Sequence, residues 1–562
     1  MRPRVPPSPP GGLLTPGAPR GPGLAGVARG PDRSGLLRRL GLLGVLGALG
    51  VCGVLGSTGC RKEAPEPDGI TVLLESPPDS LDDRFALTAN GQRLAALITP
   101  GLLAIDNASQ PVPVLAESFR EVSPTVMEFT LRPGLTFHDG TALTAEDVKA
   151  TYDDLRDAAL RSPKAERYAA LERVEVVDAR TVRFHLKRPY APLVVELSAG
   201  IIPSERAGVA HVAAQGEHPV GAGPFRFESQ PDEEHLTLVP FAGWHAGPPA
   251  LPRLRFRVVR DETTRVLELL KGRADLAVNV VSPAVLPVLK REPHLRVLSR
   301  PGTGFAYVGL NLREGPLADA RVRRALCHLV DVGPLVEHKL HGLARPAQGL
   351  MPRGHWAWAP SGGCRHAPEE AARLLDAAGY PDPDGPGGQP RLTLSLKTST
   401  DRLRRAVGLV LKEQLGRGGV QVDVRALEFG TFFEDVRRGR FELFTLKFGS
   451  VMEPDLLRGA FHSANVPRPE NHWGGFNRGA LSDTALDGLL EEASRASREE
   501  RKVLYARAQE RLDALMPILP LWHEDSVAVV SSRLEGFEPS AHGLLTPLAR
   551  ARLAPGARER AP

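Results

Sequence analysis

The stretch that decides the fold is LAESFREVSPTVMEFTLRPGLTFHDGTALTAEDVKATYDDL, which runs from Leu115 to Leu155. Apolar and polar residues alternate over residues 127–132, which predicts a strand with one buried face. A Pro-Gly pair then ends the strand. Thr144 is followed three residues later by Asp147, a spacing that predicts a capped helix start. This local order of strand, turn, loop and helix predicts structure but no function by itself.

The sequence of this stretch resembles the signature region of family 5 extracytoplasmic solute-binding proteins. These are the large peptide- and nickel-type receptors of ABC importers. That region typically reads LAESW…FxLRxGVKFHDGxPLTAEDV. Further resemblances follow in the family's order: Glu75–Asp82, Gly221–Phe227, Gly272–Leu276, Phe305–Asn311, Asp319–Leu326 and Pro368–Tyr380. They extend over residues 70–550, and no single motif carries them.

The resemblance implies an α/β fold of the large type II periplasmic-binding-protein class, with two lobes, an extra subdomain and two crossing hinge strands. Such receptors trap solute between the lobes by hinge closure. The implied function is capture of a peptide-like or other small solute and its delivery to an ABC permease, without a cofactor. The sequence contains no P-loop, so ATP hydrolysis belongs to other chains.

Other functions remain open at this stage. A receptor that presents its loaded form to a sensor would keep the same fold, and binding of a metal chelate also occurs within the family. A hydrolase hypothesis could start from His138, Asp139 and Ser450, but no GxSxG elbow supports it. No spacing of His and Cys residues predicts a protein metal site. We therefore expect a binding protein and not an enzyme.

Composition is ordinary for a soluble globular protein. The chain has 562 residues, of which 42% are hydrophobic and 24% charged, and this length predicts at least two domains. Its net charge is +5, but residues 1–39 alone carry +6, so the remainder sums to −1. Because the basic residues belong to the leader, the charge does not indicate nucleic-acid binding.

The leader predicts export and a lipid anchor. Arg38-Arg39 precede an apolar run that ends at Cys60, as in a secretory signal. Ser57-Thr58-Gly59-Cys60 resembles a bacterial lipobox with Cys60 as the lipidated residue, although Leu is usual where Ser57 stands. Cys52 is a poorer choice because bulky Val51 precedes it. Ordinary secretion and an uncleaved membrane anchor are the alternatives. We expect a monomer on the periplasmic side of a bacterial membrane.

These signals divide the chain into predicted segments. The boundaries are 1–39 (basic leader or overextended start), 40–59 (apolar signal region), 60–68 (lipid-anchored tether), 69–300 (lobe I with the extra subdomain), 301–519 (lobe II), 520–550 (return to lobe I) and 551–562 (disordered tail rich in Pro, Gly and Arg).

Only Cys327 and Cys364 remain in the folded body. They could form a disulfide in an oxidising compartment. Two separate thiols, with Cys327 buried on a helix and Cys364 in a loop, are slightly favoured.

The ligand site is predicted mainly from the segment after a strand near residue 446. In the family's peptide binders, a carboxylate in the motif GDxxDP binds the peptide's amino group, and Ser450 stands at the position of that carboxylate. Without it a buried ammonium lacks its ion partner, which costs several kcal/mol. Glu453 could substitute, although a solvated turn residue is the preferred interpretation.

The full predicted set of ligand contacts joins segments from both lobes. For Phe448, Met452 and Trp473, packing within the protein is the alternative to ligand contact. The set is Glu75, Ser76, Phe448, Gly449, Ser450, Met452, Asn471, His472 and Trp473.

Overall fold

The computed structural model describes residues 69–385 and 387–557. Its strands are β1 (Ile70–Leu74), β2 (Leu103–Ile105), β3 (Pro111–Pro113), β4 (Ala116–Ser123), β5 (Val126–Leu131), β6 (Leu171–Val176), β7 (Thr181–Leu186), β8 (Phe225–Asp232), β9 (His235–Pro240), β10 (Leu254–Val258), β11 (Leu276–Val278), β12 (Leu295–Leu310), β13 (Ala344–Pro346), β14 (Leu392–Ser399), β15 (Val420–Leu427), β16 (Leu443–Phe448), β17 (Ile518–Ser531), β18 (Leu534–Glu535) and β19 (Arg552–Leu553). Its α-helices are α1 (Ala89–Ile98), α2 (Ala145–Arg156), α3 (Leu193–Glu196), α4 (Val212–Glu217), α5 (Glu262–Leu270), α6 (Leu286–Leu289), α7 (Ala320–Leu329), α8 (Val332–Pro334), α9 (Pro368–Ala377), α10 (Arg402–Arg417), α11 (Phe429–Arg437), α12 (Leu456–Phe461), α13 (Thr484–Arg495) and α14 (Arg498–Leu515).

Two long strands, β12 and β17, join the lobes. The main mixed sheet has the order β15-β14-β16-β12-β17-β11-β1-β10-β9-β8, with β13 paired to β17 at its side. At about 3.3 Å per residue, the 16 residues of β12 span roughly 50 Å, which is enough to cross both lobes. The predicted pair of crossing strands is confirmed.

The crossing contains an irregularity in the strand pairing. The antiparallel register of β12 on β17 shifts between Arg300 and Gly304. A Cβ on Gly302 would lie 2.4 Å from the carbonyl oxygen of Glu524, so the close approach of the two backbones requires glycine. The shift separates the lobe I half of each strand from its lobe II half.

Strand direction sets where a ligand can lie. In lobe I, β1 pairs in parallel with β10 and β11, and in lobe II β14 pairs in parallel with β15 and β16. Because β11 is antiparallel to β17 and β16 is antiparallel to β12, the parallel strands of both lobes end toward the crossing. Ligands in open α/β sheets bind outside the carboxyl ends of strands, so both lobes present their binding edges to the same cleft.

Apolar side chains cover the sheet in each lobe. In lobe II, Leu394 and Val422 belong to one buried cluster, while Phe305 and Phe444 belong to another. In lobe I, Val72 lies in a third cluster. Each fully buried side chain of this size contributes about 1.5–3 kcal/mol, so the cores hold the strand ends firmly in place.

The signature stretch builds the extra subdomain. Its predicted strand is β5, which lies inside the antiparallel sheet β4-β5-β7-β6. Phe129 packs against Phe119 and Phe184, with ring centroids 5.5 Å and 5.4 Å away. At the start of α2, the backbone N–H of Thr144 donates to the side-chain carboxylate of Asp147 at 2.8 Å. The strand and the capped helix predicted from the sequence are both confirmed.

His138 ties this stretch to the Gly221–Phe227 motif. Its backbone N–H donates to the carbonyl of Gly221 at 2.8 Å, and its Nε2 lies 3.1 Å from the carbonyl oxygen of Gly223. Burial lowers the pKa of His138 to about 4. The imidazole is therefore a neutral structural group, and these contacts do not pair it with Ser450.

Other predicted elements are found with shifted ends. The sequence also predicts helices at 263–271 and 497–517, and the structure contains them as α5 and α14. Helix α13 was not predicted, although Leu486, Leu490 and Ala493 bury one face and Asp483 caps its start. That spacing is an ordinary helix signal.

The predicted disorder of the tail from 551 is wrong for residues 551–557. Ala551 is fully buried, and β19 pairs with β18. Arg533 donates to the carbonyl of Ala557 at 3.1 Å. Strand pairing and burial in lobe I outweigh the loop-like composition here, while residues 558–562 lie outside the described part of the chain.

Cys327 and Cys364 form a disulfide, with their Cα atoms 5.0 Å apart. The slight preference for two separate thiols is therefore wrong. The loop before α9 returns to the end of α7. There the backbone N–H of Ala367 donates to the backbone carbonyl oxygen of His328 at 2.9 Å. Proximity across 37 residues depends on this packing of α7 with α9 and cannot be deduced from spacing alone.

Within residues 69–385 and 387–557, none of the helices has the length and apolar character needed to cross a bilayer. The leader, including Cys60 and the tether, lies outside these ranges.

Candidate functional site

The lobe I side of the cleft begins where β1 ends, at Glu75 and Ser76. Asn90 donates to the carbonyl oxygen of Ser76 at 2.9 Å and accepts from Arg93 at 3.0 Å. Arg93 also donates to the carbonyl of Gly543 at 2.9 Å. Burial lowers the pKa of Arg93, and the charge of Glu75 opposes that effect.

Glu75 carries a buried, unsatisfied carboxylate oxygen on this side. Within the part of the chain that the structure describes, its Oε2 is buried and has no hydrogen-bond partner. A buried carboxylate oxygen left without a donor is costly. A donor group on a bound solute would satisfy it.

The lobe II side includes Ser450, in the loop that follows β16. Its hydroxyl lies 2.8 Å from the hydroxyl of Thr303 and 3.1 Å from Nδ1 of His542. Nε2 of His542 in turn lies 2.9 Å from the carbonyl oxygen of Asp106, so Nε2 carries the proton and Nδ1 accepts. Burial lowers the pKa of His542, which keeps the ring neutral.

This arrangement joins three parts of the molecule at one point. Ser450 belongs to lobe II, Thr303 to the crossing strand β12, and His542 to the segment after β17. The pattern of hydroxyl and imidazole groups offers no fixed negative charge to a ligand ammonium. It differs in this respect from a site with a carboxylate at position 450.

The residues on either side of Ser450 differ in their surroundings. Phe448 stacks on Tyr307 with ring centroids 5.3 Å apart and packs against the lobe II core. Gly449 has open space around it, since nothing lies within 4 Å of an added Cβ. The carbonyl of Met452 lies 3.1 Å from Nε2 of His355.

Glu453 is not a solvated turn residue, contrary to the preferred interpretation of the sequence. Its side chain is only 13% exposed and forms an ion pair with Arg501. Burial raises the pKa of Glu453 to about 7, although the guanidinium opposes the shift. Because it already pairs with Arg501, Glu453 does not supply the missing carboxylate.

The structure places Asn471–Trp473 elsewhere on lobe II. Arg438 lies over the Trp473 ring at 5.6 Å, and Arg437 donates to the carbonyl of His472 at 3.2 Å. Both arginines are at the C-terminal end of α11, whereas the cleft edge lies at its start, after β15. The 471–473 segment is therefore not brought beside the Ser450 loop, and its contact with ligand stays a prediction.

Sequence reasoning missed three side chains near the lobe II edge. Arg404 lines a cavity of about 530 Å³ at the end of β14. Arg478 and Tyr307 line a second, narrow cavity together with Phe448. Tyr307 belongs to the Phe305–Asn311 motif, but no motif marks Arg404 on α10 or Arg478 in the loop before α13.

Residues 69–385 and 387–557 contain no group of three or more His, Cys, Asp or Glu side chains placed so that they could hold a metal ion.

Sequence comparison decides the family. The sequence profile of the bacterial extracellular solute-binding proteins, family 5, matches residues 110–465, which is more than half of the chain. The chain belongs to this family. It is thus the extracytoplasmic solute-binding component of an ABC importer.

Curated relatives of this solute-binding protein include two glutathione-binding proteins named GsiB. That of Pectobacterium atrosepticum is 29% identical over 477 residues, covering 82% of this chain and 89% of the relative. That of Escherichia coli O157:H7 is 29% identical over 487 residues, covering 83% of this chain and 91% of the relative.

Solved structures share the fold of the receptor. CtaP of Listeria monocytogenes, an ABC transporter substrate-binding protein, superposes with a TM-score of 0.78 at 20% identity, covering 86% of this chain and 99% of the other. NikZ of Campylobacter jejuni, solved with Ni(L-His), superposes with a TM-score of 0.74 at 23% identity. The match covers 87% of this chain and 100% of NikZ. At these identities the likeness concerns the fold alone.

Proposed function

We propose that the receptor captures a small peptide-like solute in the cleft and that Glu75 binds a donor group of that solute. The single observation that carries this proposal is the buried, unpartnered Oε2 of Glu75 at the carboxyl end of β1. The position of the carboxyl ends of the strands, directed at the cleft from both lobes, supports it.

The glutathione-binding relatives suggest the first solute to test. Glutathione is a peptide-like molecule with an ammonium group and two carboxylates, and its amino group does not stand in the position found in an ordinary tripeptide. Such a ligand suits a cleft with a serine at position 450 and a free carboxylate oxygen at Glu75.

The proposal is tested in two steps. Native mass spectrometry of the purified protein identifies any retained solute, and calorimetry then measures glutathione binding. We expect Glu75→Gln to weaken binding roughly tenfold or more, because hydrogen bonds to charged groups contribute about 1.5–3 kcal/mol.

The matched control is Glu121→Gln, which changes an exposed glutamate on β4. We expect this variant to bind like the unmodified protein. Equal affinity of Glu75→Gln and the unmodified protein for a retained peptide-like solute would remove Glu75 from the site.

We also propose that the protein is exported, lipidated at Cys60 and monomeric, and that it has no catalytic activity of its own. The apolar run before Gly59-Cys60 supports the anchor. The same proposal keeps the boundaries 69–300, 301–519 and 520–550 for lobe I, lobe II and the return to lobe I.

A further inference from the structure

The irregularity in the crossing strand β12 releases the backbone of Thr303 from the sheet. Where β12 pairs with β17, residues 301–303 lie opposite the single residue Asp525. Extra residues in one strand of a pair leave its ladder of hydrogen bonds. The N–H of Thr303 donates to the carbonyl of Ala541 at 3.2 Å, and its carbonyl accepts from the N–H of Val451 at 3.2 Å. The backbone of Thr303 is therefore bonded to one segment of each lobe.

The side chain of Thr303 makes the same connection. Its buried hydroxyl lies 2.8 Å from the hydroxyl of Ser450 and 3.1 Å from Nδ1 of His542. The hydroxyl of Ser450 also lies 3.1 Å from Nδ1, so the three groups form a closed triangle. Because Nδ1 offers one lone pair, one hydroxyl donates to it and the other hydroxyl donates to the first. The hydroxyl of Thr303 thus completes a contact between Ser450 of lobe II and His542 of lobe I.

Each partner in this contact is fixed within its own lobe. In lobe I, Nε2 of His542 donates to the carbonyl of Asp106 at 2.9 Å. In lobe II, Val451 is fully buried in the core and anchors the loop that carries Ser450. A displacement of one lobe against the other therefore acts directly on the contact between Ser450 and His542.

The lobes also meet at a second place. The backbone N–H of Ala191, in the loop between β7 and α3 of the extra subdomain, donates to the carbonyl of Ser494 at 3.0 Å. Ser494 lies in the last turn of α13, where carbonyl groups have no partner within the helix. Opening of the lobes would break this bond and expose the N–H of Ala191 to water. Ala191 is therefore a reporter of closure that lies outside the crossing.

We propose that Thr303 is a positioning residue for lobe closure, because its hydroxyl holds the Ser450 loop against His542 and so stabilises the closed form. Loss of this hydroxyl shifts the equilibrium toward the open form. Such a shift lowers the apparent affinity for every solute that the closed form holds. The inference concerns closure itself and not one solute, so it goes beyond the proposed function.

The test measures hydrogen–deuterium exchange of the purified full chain by mass spectrometry, without added solute. A protected amide exchanges only when the contact that protects it opens. We expect the peptide that contains Ala191 to exchange about fivefold faster in Thr303→Val than in the unmodified protein, because one net hydrogen bond changes an equilibrium by about this factor. Exchange in β5 should not change, since opening of the lobes leaves the sheet of the extra subdomain intact.

Two variants are the controls. Thr303→Ser retains the hydroxyl, and its exchange at Ala191 should match that of the unmodified protein. Thr398→Val makes the same chemical change inside lobe II, where the fully buried Thr398 hydroxyl lies 2.7 Å from that of Thr445. We expect Thr398→Val to lower the melting temperature and to leave exchange at Ala191 unchanged. This comparison separates a role in closure from a general effect on stability.

Unchanged exchange at Ala191 in Thr303→Val overturns the proposal, and so does an equal increase in Thr303→Ser or Thr398→Val. If Thr303→Val does not fold, Ser450→Ala decides, because it removes a hydroxyl of the same contact from a half-buried loop residue. Ser450→Ala must then raise exchange at Ala191. The measurement needs no solute, so its result is independent of the Glu75→Gln experiment.

Discussion

At the residue scale, Ser450 separates this receptor from one with a carboxylate at that position. Its hydroxyl contacts Thr303 and His542, so the position is filled by hydrogen bonds within the protein. Thr303 can donate its hydroxyl to an oxygen atom at this position. An aspartate could therefore keep one of the two hydrogen bonds.

We predict that ordinary dipeptides and tripeptides bind the unmodified protein weakly and that Ser450→Asp improves their binding. A carboxylate would give the peptide ammonium an ion partner, and a gain of about 1–2 kcal/mol corresponds to roughly five- to thirtyfold in affinity. Calorimetry with dialanine and trialanine measures the change.

Ser450→Asn is the matched control for this prediction, since it has nearly the same shape as aspartate without the charge. We expect it to bind these peptides no better than the unmodified protein. Sub-micromolar binding of dialanine by the unmodified protein would contradict the prediction.

At the element scale, the disulfide links the end of α7 to the loop before α9. Cys327 is fully buried on α7, and Cys364 packs against the same lobe II cluster from the loop. The link closes a segment of 37 residues that contains the short strand β13. It therefore restricts a part of lobe II that has little regular structure of its own.

We predict that Cys364→Ser lowers the free energy of unfolding by about 2–4 kcal/mol, because cross-links that close loops of this size mainly restrict the unfolded chain. Thermal or denaturant unfolding measures the loss. Peptide mapping without reductant should recover residues 327 and 364 in one cross-linked fragment of the unmodified protein.

Reductant provides the internal control for the disulfide. It should lower the stability of the unmodified protein to that of Cys364→Ser and leave the variant unchanged. Two free thiols in unreduced, unfolded protein would refute the link.

At the scale of the whole molecule, a folded two-lobe body follows the segment that is predicted to be a leader, and that segment lies outside the described residues. None of the helices within 69–385 and 387–557 is suited to cross a bilayer. In our proposal, membrane attachment comes from lipidation of Cys60, which is supported by the apolar run before Gly59-Cys60. Two or three acyl chains on one cysteine give stable anchoring at about 0.8 kcal/mol per buried CH₂.

We predict that Cys60→Ala leaves the protein unprocessed or releases it from the membrane. Fractionation followed by intact-mass analysis measures this result. Cys52→Ala is the matched control, because it removes the other leader cysteine and should leave processing unchanged. Membrane-bound Cys60→Ala of mature mass would exclude lipidation at this residue.

The sequence by itself determined the family, the α/β class and the main elements. The signature stretch predicted β5 and the capped start of α2, and the sequence also predicted the helices α5 and α14, because these signals are local. Helix α13 carried the same kind of signal and was overlooked.

Only the tertiary structure decided which residues meet. It pairs Cys327 with Cys364, places Glu453 in an ion pair with Arg501 and orders residues 551–557. Each of these contacts joins residues from separate elements, and their burial and charge balance depend on how the elements pack. Periodicity along the chain predicts which face of an element is apolar. It does not predict which side chains of another element pack against that face.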